Sequence, residues 1–407
     1  MMNQRFARAV TGALLATTLG AALAAAARAP ATTASRNLLK NPGFEQPLGD
    51  HPWMPAGWDT SQAGLSSVFF GRDTFLTHGG RYAVSVANLS VIYAMGHNWN
   101  QTLLVGREAW GKDLVFSVWT RSNGVQGRAY LLLQAYRDTI SKMATIWGVD
   151  REEAAGRMNI NKVDDPLLDL GWKRQYFSDP QTDWVRREVR VFVPPTTNVV
   201  FVRCGLFGTG QVIYDDASLT LEPAQPASVP RHTNLLADPG FEGDGNDWEY
   251  MVPPWEGAHV ERDTTVAHGG RASIVAWGGL GAMVQTRAGV CQSFPNRALA
   301  GQHIRLSGWV HTDSLIGLAY LKLYAHTLHG ADFGPTPIQY SMNTGWTQAS
   351  IEMDVPRDAY QIWAWFAYNA PASGRVYYDD CVLEVLGPAA ADSSKTTPPR
   401  HRAPARR

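Results

Sequence analysis

Charge of neither sign is in excess in this 407-residue chain: 36 Lys and Arg stand against 36 Asp and Glu, a formal net charge of +0. No overall field draws such a chain to nucleic acid or to an anionic membrane, so neutral partners are expected and nucleic acid is not. Cysteine is scarce and odd in number, at Cys204, Cys291 and Cys381, which allows at most one intrachain disulfide. Long apolar runs are lacking after the first 30 residues, so no other segment is expected to span a bilayer. The sequence has no Gly-x-Ser-x-Gly, no His-Glu-x-x-His and no phosphate loop. Its neighbouring acidic pairs, Glu152-Glu153, Asp164-Asp165, Asp215-Asp216 and Asp379-Asp380, read as a solvated helix face, a turn before Pro166 and two strand ends. None presents itself as the facing carboxylate pair that glycoside hydrolysis needs.

The first apolar run has a different meaning. Arg5 and Arg8 precede an Ala-rich stretch from Ala9 to Ala27 that ends in small residues, the pattern of an export signal, here residues 1–29 with cleavage between Ala24 and Ala29. A secreted or extracellular protein is expected, with periplasmic or cell-surface placement as variants.

What is abundant is repetition. Asn37-Leu-Leu-Lys-Asn-Pro-Gly-Phe-Glu45 returns as Asn234-Leu-Leu-Ala-Asp-Pro-Gly-Phe-Glu242, and each copy closes on Tyr-Asp-Asp, at Tyr214 to Asp216 and Tyr378 to Asp380. Arg72-Asp73-Thr74 and His78-Gly79-Gly80-Arg81 recur 190 residues later. One fold used twice follows, with modules at 36–222 and 233–387. Pro-rich 223–232 reads as a semi-extended linker, and 388–407 as a disordered basic tail. Between Trp184 and Trp346 the spacing falls to 162, so the first copy carries 28 extra residues within about 138–177, and Thr139 to Met158 has helical composition. Cys291 and Cys381 are the only cysteine pair within one copy; the alternative is three buried thiols acting as small apolar residues.

Elsewhere the apolar pattern has a period of two in short runs broken by Gly, Asn, Asp and Pro, which predicts an all-β protein of two β-sandwiches with a short helical insertion in the first. Alternation assigns faces. Leu114, Phe116 and Val118 point to the core, with Trp119 and Arg121 opposite. Ile304, Leu306 and Val310 likewise oppose Trp309 and His311. Ala319, Leu321, Leu323 and Ala325 oppose Tyr320, Lys322, Tyr324 and His326, whose counterparts in the first copy are Tyr130, Gln134 and Tyr136. Ile362, Ala364 and Phe366 oppose Trp363 and Trp365, where the first copy has Phe201 and Arg203. If these strands are neighbours, the outward residues of the second copy form an aromatic platform, while in the first copy the insertion leaves directly after Tyr136 and favours a covered face; rings interleaved with hydrogen-bonding groups suit a sugar's C–H face and hydroxyls. The alternative is a second core, the rings being covered by the other module, the insertion or a loop.

The Asn-Pro-Gly-Phe-Glu opening, His-Gly-Gly-Arg turn, Phe116-Ser-Val-Trp119 strand and closing Tyr-Asp-Asp resemble carbohydrate-binding modules of the family 4/9/22 type over nearly the whole mature chain. The resemblance implies galactose-binding-like jelly rolls that hold a glycan chain on a sheet face. It also implies a structural Ca2+ on Gly43, Glu45, Arg81 and Asp216 in the first copy, and on Gly240, Glu242, Arg271 and Asp380 in the second, with His78 and His268 where the family often has a carboxylate. Without metal, Glu45 and Asp216 would accept hydrogen bonds from turn amides instead. The expected function is a monomeric, non-catalytic polysaccharide binder; a carbohydrate-active hydrolase or accessory subunit and an adhesion or scaffold protein are the alternatives.

Overall fold

The computed structural model describes residues 36–390 apart from 62–66, 91–95, 158–167, 179–181, 226–228, 252–257, 279–286, 296, 328–331 and 335–337. The expected export signal, the middle of the linker and most of the expected tail lie outside the described residues.

The first module runs β1 (Pro47–Leu48), β2 (His51–Pro55), β3 (Asp59–Ser61), β4 (Val68–Asp73), β5 (Ala83–Asn88), β6 (Gly96–Leu104), β7 (Lys112–Arg137), α1 (Thr139–Trp147), α2 (Arg151–Arg157), β8 (Leu168–Phe177), β9 (Val185–Phe192) and β10 (Val199–Pro223). The second runs β11 (Glu249–Met251), β12 (Ala258–Asp263), β13 (Ser273–Gly278), β14 (Arg287–Phe294), β15 (Gln302–Thr327), β16 (Asp332–Phe333), β17 (Ile338–Asp354) and β18 (Ala359–Pro388). The fold is all-β, and among the described residues its two α-helices fall in the insertion, as the composition of 139–158 predicts.

β7 and β10 are 26 and 25 residues long, far longer than an ordinary strand, because each serves two sheets. Their register shifts between Thr209 and Gln211, flanked by Gly208 and Gly210 at φ 105° and 103°, a conformation that glycine adopts without a steric penalty. On one side of that bend lies a front sheet in the order β3, β6, β10, β7, β8; on the other lies a back sheet in the order β4, β5, β10, β7, β9. β15 and β18 do the same in the second module, with β11 and β14 in front and β12, β13 and most of β17 behind. Between the sheets sit the residues that alternation assigns inward, Leu114, Phe116, Val118, Leu131 and Leu133 in one core and Ile304, Leu306, Leu321, Leu323 and Phe366 in the other. Cys204, Cys291 and Cys381 are free, buried thiols, which is the alternative to a Cys291–Cys381 pair.

The modules touch directly. Edge strand β8 abuts the front sheet of the second module: Gln361 Nε2 and Ser293 Oγ donate to the Trp172 carbonyl at 3.0 and 3.3 Å, and Lys173 Nζ donates to the Ser293 carbonyl at 3.2 Å. Beside them Arg174 Nη1 meets Glu249 Oε2 at 2.9 Å, Tyr176 Oη donates to the same carboxylate at 2.8 Å, and Arg128 Nη1 donates to the Trp248 carbonyl. Tyr360 enters the first module's core cluster.

Candidate functional site

The repeated motifs build one corner of each sandwich. Asn37 Nδ2 donates to the Ala217 carbonyl, and its Oδ1 accepts from Leu39 and Leu219; Asn234 does the same with Cys381, Leu236 and Leu383. The opening segment is thus fastened to the closing strand. Asp215 Oδ2 accepts the amides of His78 and Gly79, as Asp379 does those of His268 and Gly269. Burial pushes both carboxyls up, against the pull of those amides. The second aspartate is half-exposed: Asp216 Oδ2 lies 2.7 Å from His78 Nδ1, and Asp380 Oδ2 is 2.7 Å from His268 Nδ1.

The predicted ligands therefore meet at one turn. Glu45 Oε1 accepts the amides of Arg81 and Tyr82, and Glu242 Oε1 those of Arg271 and Ala272, which is the amide-accepting alternative. These amides hold the Glu242 carboxyl below the usual glutamate range. A Cβ on Gly79 would stand 2.5 Å from Asp216 Oδ2, and one on Gly80 2.1 Å from Glu45 Oε1, so both carboxylates press on a backbone that only glycine allows. Glu45 Oε2 and Asp216 Oδ1 accept no hydrogen bond from the described residues. The donor set fits a hard cation to that extent: two spare carboxylate oxygens beside the backbone of Gly43 and Arg81. Among the described residues no group of three or more His, Cys, Asp or Glu is arranged for a metal.

The expected platform is corrected in two ways. Trp119, Arg121, Trp309 and His311 lie in the back-sheet halves of β7 and β15, since each long strand leaves that sheet before its platform residues begin. Trp119 and Trp309 instead stack on His78 and His268, each with ring centroids 3.9 Å apart and planes 15° off parallel, flooring the His-Gly-Gly-Arg turn. His311 packs between Trp346 and Tyr377, its Nδ1 bonded to the Thr344 carbonyl.

The remaining rings of the second module do converge on its front sheet, but the face is closed. Tyr320, Trp363 and Trp365 are 4%, 3% and 9% exposed and form a cluster with Cys291 and Ala367. Trp172 of the first module packs on it, 4.8 Å from Trp363 between ring centroids, and Tyr324 stacks on both tryptophans. Lys322, with Nζ 4.4 Å from the Tyr324 ring, and His326 are half-buried beside it. This is the second-core alternative. Trp363 and Trp365 even bury their Nε1–H donors without an acceptor.

The first module's front face is the more open one, the reverse of the platform expected in the second. Its end nearest the contact is closed, with Tyr130 3% and Tyr176 7% exposed and the Arg174 guanidinium 5.3–5.4 Å from the rings of Tyr130, Trp172, Tyr176 and Phe207. The far end is not. Gln134, Tyr136, Phe201 and Arg203 are half-buried side by side in β7 and β10, with Asn100 half-buried and Thr102 exposed on the adjoining β6. Tyr136 and Phe201 meet edge to face at 5.2 Å, and the Arg203 guanidinium is 5.7 Å from the Phe201 ring. Gln134 Oε1 and Asn98 Oδ1, on the same outward parity, are buried acceptors without a hydrogen-bond donor. Asn98, Asn100 and Thr102 are not legible as site residues, because the Gly96–Leu104 strand carries no repeated landmark.

The chain is similar to tandem carbohydrate-binding modules of known structure. The N-terminal CBM22-1-CBM22-2 tandem domain of Paenibacillus barcinonensis Xyn10C is 12% identical over 88% of this chain and 100% of that one, with a TM-score of 0.30. The C-terminal family 22 carbohydrate-binding module of Clostridium thermocellum Xyn10B is 16% identical over 41% of this chain and 99% of that one, at a TM-score of 0.30. Fisc, a Stig cyclase from Fischerella sp. TAU, is 17% identical over 46% and 98%, at 0.31. No protein-family model and no curated protein matches the chain. At these identities the role of the site is read from its own residues.

Proposed function

We propose that this is a secreted, monomeric, non-catalytic protein that binds a polysaccharide on the open end of the first module's front sheet. The observation that carries the reading is the half-buried pair Tyr136 and Phe201, flanked by Arg203 and by Gln134, whose Oε1 lacks a donor. A ring face offers the apolar surface on which a sugar's C–H face rests, and an unpartnered buried amide oxygen supplies what a sugar hydroxyl donates to. The balanced charge of the chain agrees with a neutral polymer as ligand.

Electrophoresis through gels containing soluble polysaccharides tests it. At least one neutral polysaccharide is expected to retard the protein, and Tyr136→Ala with Phe201→Ala to weaken that retardation by about tenfold or more, the equivalent of ~1.4 kcal/mol. Trp363→Ala with Trp365→Ala acts on stability instead. Retardation unchanged in the first double variant sinks the assignment.

Calcium belongs to the same proposal as a structural ion, held by Glu45 and Asp216 with the carbonyls of Gly43 and Arg81, and by Glu242 and Asp380 with those of Gly240 and Arg271. Bound there, it would tie the opening segment to the closing strand in each module. An ion that binds only the folded state adds about 2.7 kcal/mol at a hundredfold excess over its Kd. The melting temperature is therefore expected to fall when EDTA replaces calcium, and identical melting curves in both would remove the ion from the account.

A further inference from the structure

A cleft of ≈ 900 Å³ opens between the modules beside β8. Such a volume suits a small-molecule-sized group. Its walls carry five cations, of which two are already committed: Arg174 to Glu249, and Arg190 to Asp113 and Glu222 at 3.3 and 2.6 Å. Lys173, Arg297 and Arg357 are left without an ion pair among the described residues. Lys173 Nζ bonds only to the Ser293 carbonyl, and Arg297 Nη2 only to the Arg357 carbonyl. Against them stands one uncommitted acid, Asp247. Asn246 also lines the cleft, and its buried Oδ1 accepts no hydrogen bond from the described residues.

Three spare cations ask for an anion, while Asn246 and Asp247 ask for hydroxyl donors. A bare inorganic anion meets the first demand and not the second. We infer that the cleft between the modules binds an acidic saccharide, its carboxylate held by Lys173, Arg297 and Arg357 and its hydroxyls by Asn246 Oδ1 and the Asp247 carboxylate. Burial depresses the Lys173 ammonium because no carboxylate pairs with it directly, and a bound anion removes that penalty. The site exists only in the tandem: Lys173 comes from the strand that follows the first module's helices, Asn246, Asp247, Arg297 and Arg357 from the second module. It rests on the glycan-binding reading, to which it adds a charged subsite.

Calorimetric titration of the full chain with a galacturonic acid trisaccharide tests it, beside gel retardation by the neutral polysaccharide of the previous section. Wild-type protein is expected to bind the acidic trisaccharide, at least tenfold more weakly in 0.5 M NaCl, and inorganic sulfate is expected not to displace it fully. Arg297→Glu with Arg357→Glu, both exposed and remote from either core, is expected to lose at least tenfold in acidic binding with an unchanged melting temperature and unchanged neutral retardation. Lys173→Met is expected to lose acidic binding as well. No binding of the trisaccharide to wild type, binding that survives both variants, or complete displacement by sulfate overturns the acidic site. Loss of neutral retardation in Tyr136→Ala with Phe201→Ala bears on the sheet face alone, so the two readings stand or fall separately.

Discussion

Single residues decide how tightly the duplicated corner is drawn. Asn41, Phe44 and Asp216 adopt positive φ angles, and so do their counterparts Asp238, Phe241 and Asp380, so the strained backbone of the first copy is reproduced in the second. Such repetition means that the strain belongs to the motif and is over-determined by its bonds: Arg72 Nε donates to the Phe44 carbonyl, and Asp215 accepts the turn amide of His78 and the amide of Asp216. Gly80 is the least replaceable position, because its φ of 61° is coupled to a Glu45 oxygen 2.1 Å from any Cβ. Gly80→Ala is expected to destabilise the first module by about 1–3 kcal/mol, read by denaturant unfolding, since both the backbone and the carboxylate must shift. A loss under about 0.5 kcal/mol would mean that Glu45 swings aside freely.

At the scale of elements, the strand that ends the insertion matters more than the helices that mark it. β8 carries Trp172, Lys173, Arg174 and Tyr176, each of which contacts the second module. Its sequence could be read as extra chain with a helical start, but not as an interface, because it has no counterpart landmark and alternation says which face a residue takes without saying what lies across from it. The same limit explains the platform. Parity placed Tyr320, Tyr324, Trp363 and Trp365 together correctly, and the inward sets of all three strands fill the cores. Whether water or protein meets the outer face is settled by long-range packing that no local pattern records. Trp119 and Trp309 lie in the back sheet for another reason: a 26-residue strand that changes sheets looks, residue by residue, like a strand that does not. Arg174 and Glu249 form a mostly buried pair, 19% and 7% exposed at their side chains, with Tyr176 completing the carboxylate's bonds. Removing one partner of such a pair leaves a buried charge, at a cost of about 3–5 kcal/mol. Arg174→Met is accordingly expected to lower stability on that order and to split unfolding into two transitions, whereas Arg174→Met with Glu249→Gln recovers part of the loss. A single variant with wild-type stability would show that the pair adds nothing to the contact.

Residues 36–390 are then better described as one body with two sandwiches than as two modules on a tether. A Pro-rich linker alone leaves modules at an effective concentration set by its length. Here the second module's Tyr360 joins the first module's core, Phe192 bonds through its amide to the Pro295 carbonyl, and Trp172 closes the second module's aromatic face. Trp172 packs over that face, so separating the halves exposes Trp363, Trp365 and Tyr320 to water. At about 25 cal/mol per Å² of apolar area, aromatic side chains of this size dominate such a contact. Cutting the chain at a protease site introduced over residues 226–228 is therefore expected to leave the halves together. They should co-elute from a sizing column at micromolar concentration and separate only in denaturant, with a rise in tryptophan emission wavelength as the face opens. Halves that part under native conditions would return the linker to the role of tether. The cleft lined by Lys173 and Arg297 would then have no fixed shape, because its two walls belong to different modules and only their contact holds them at a set distance.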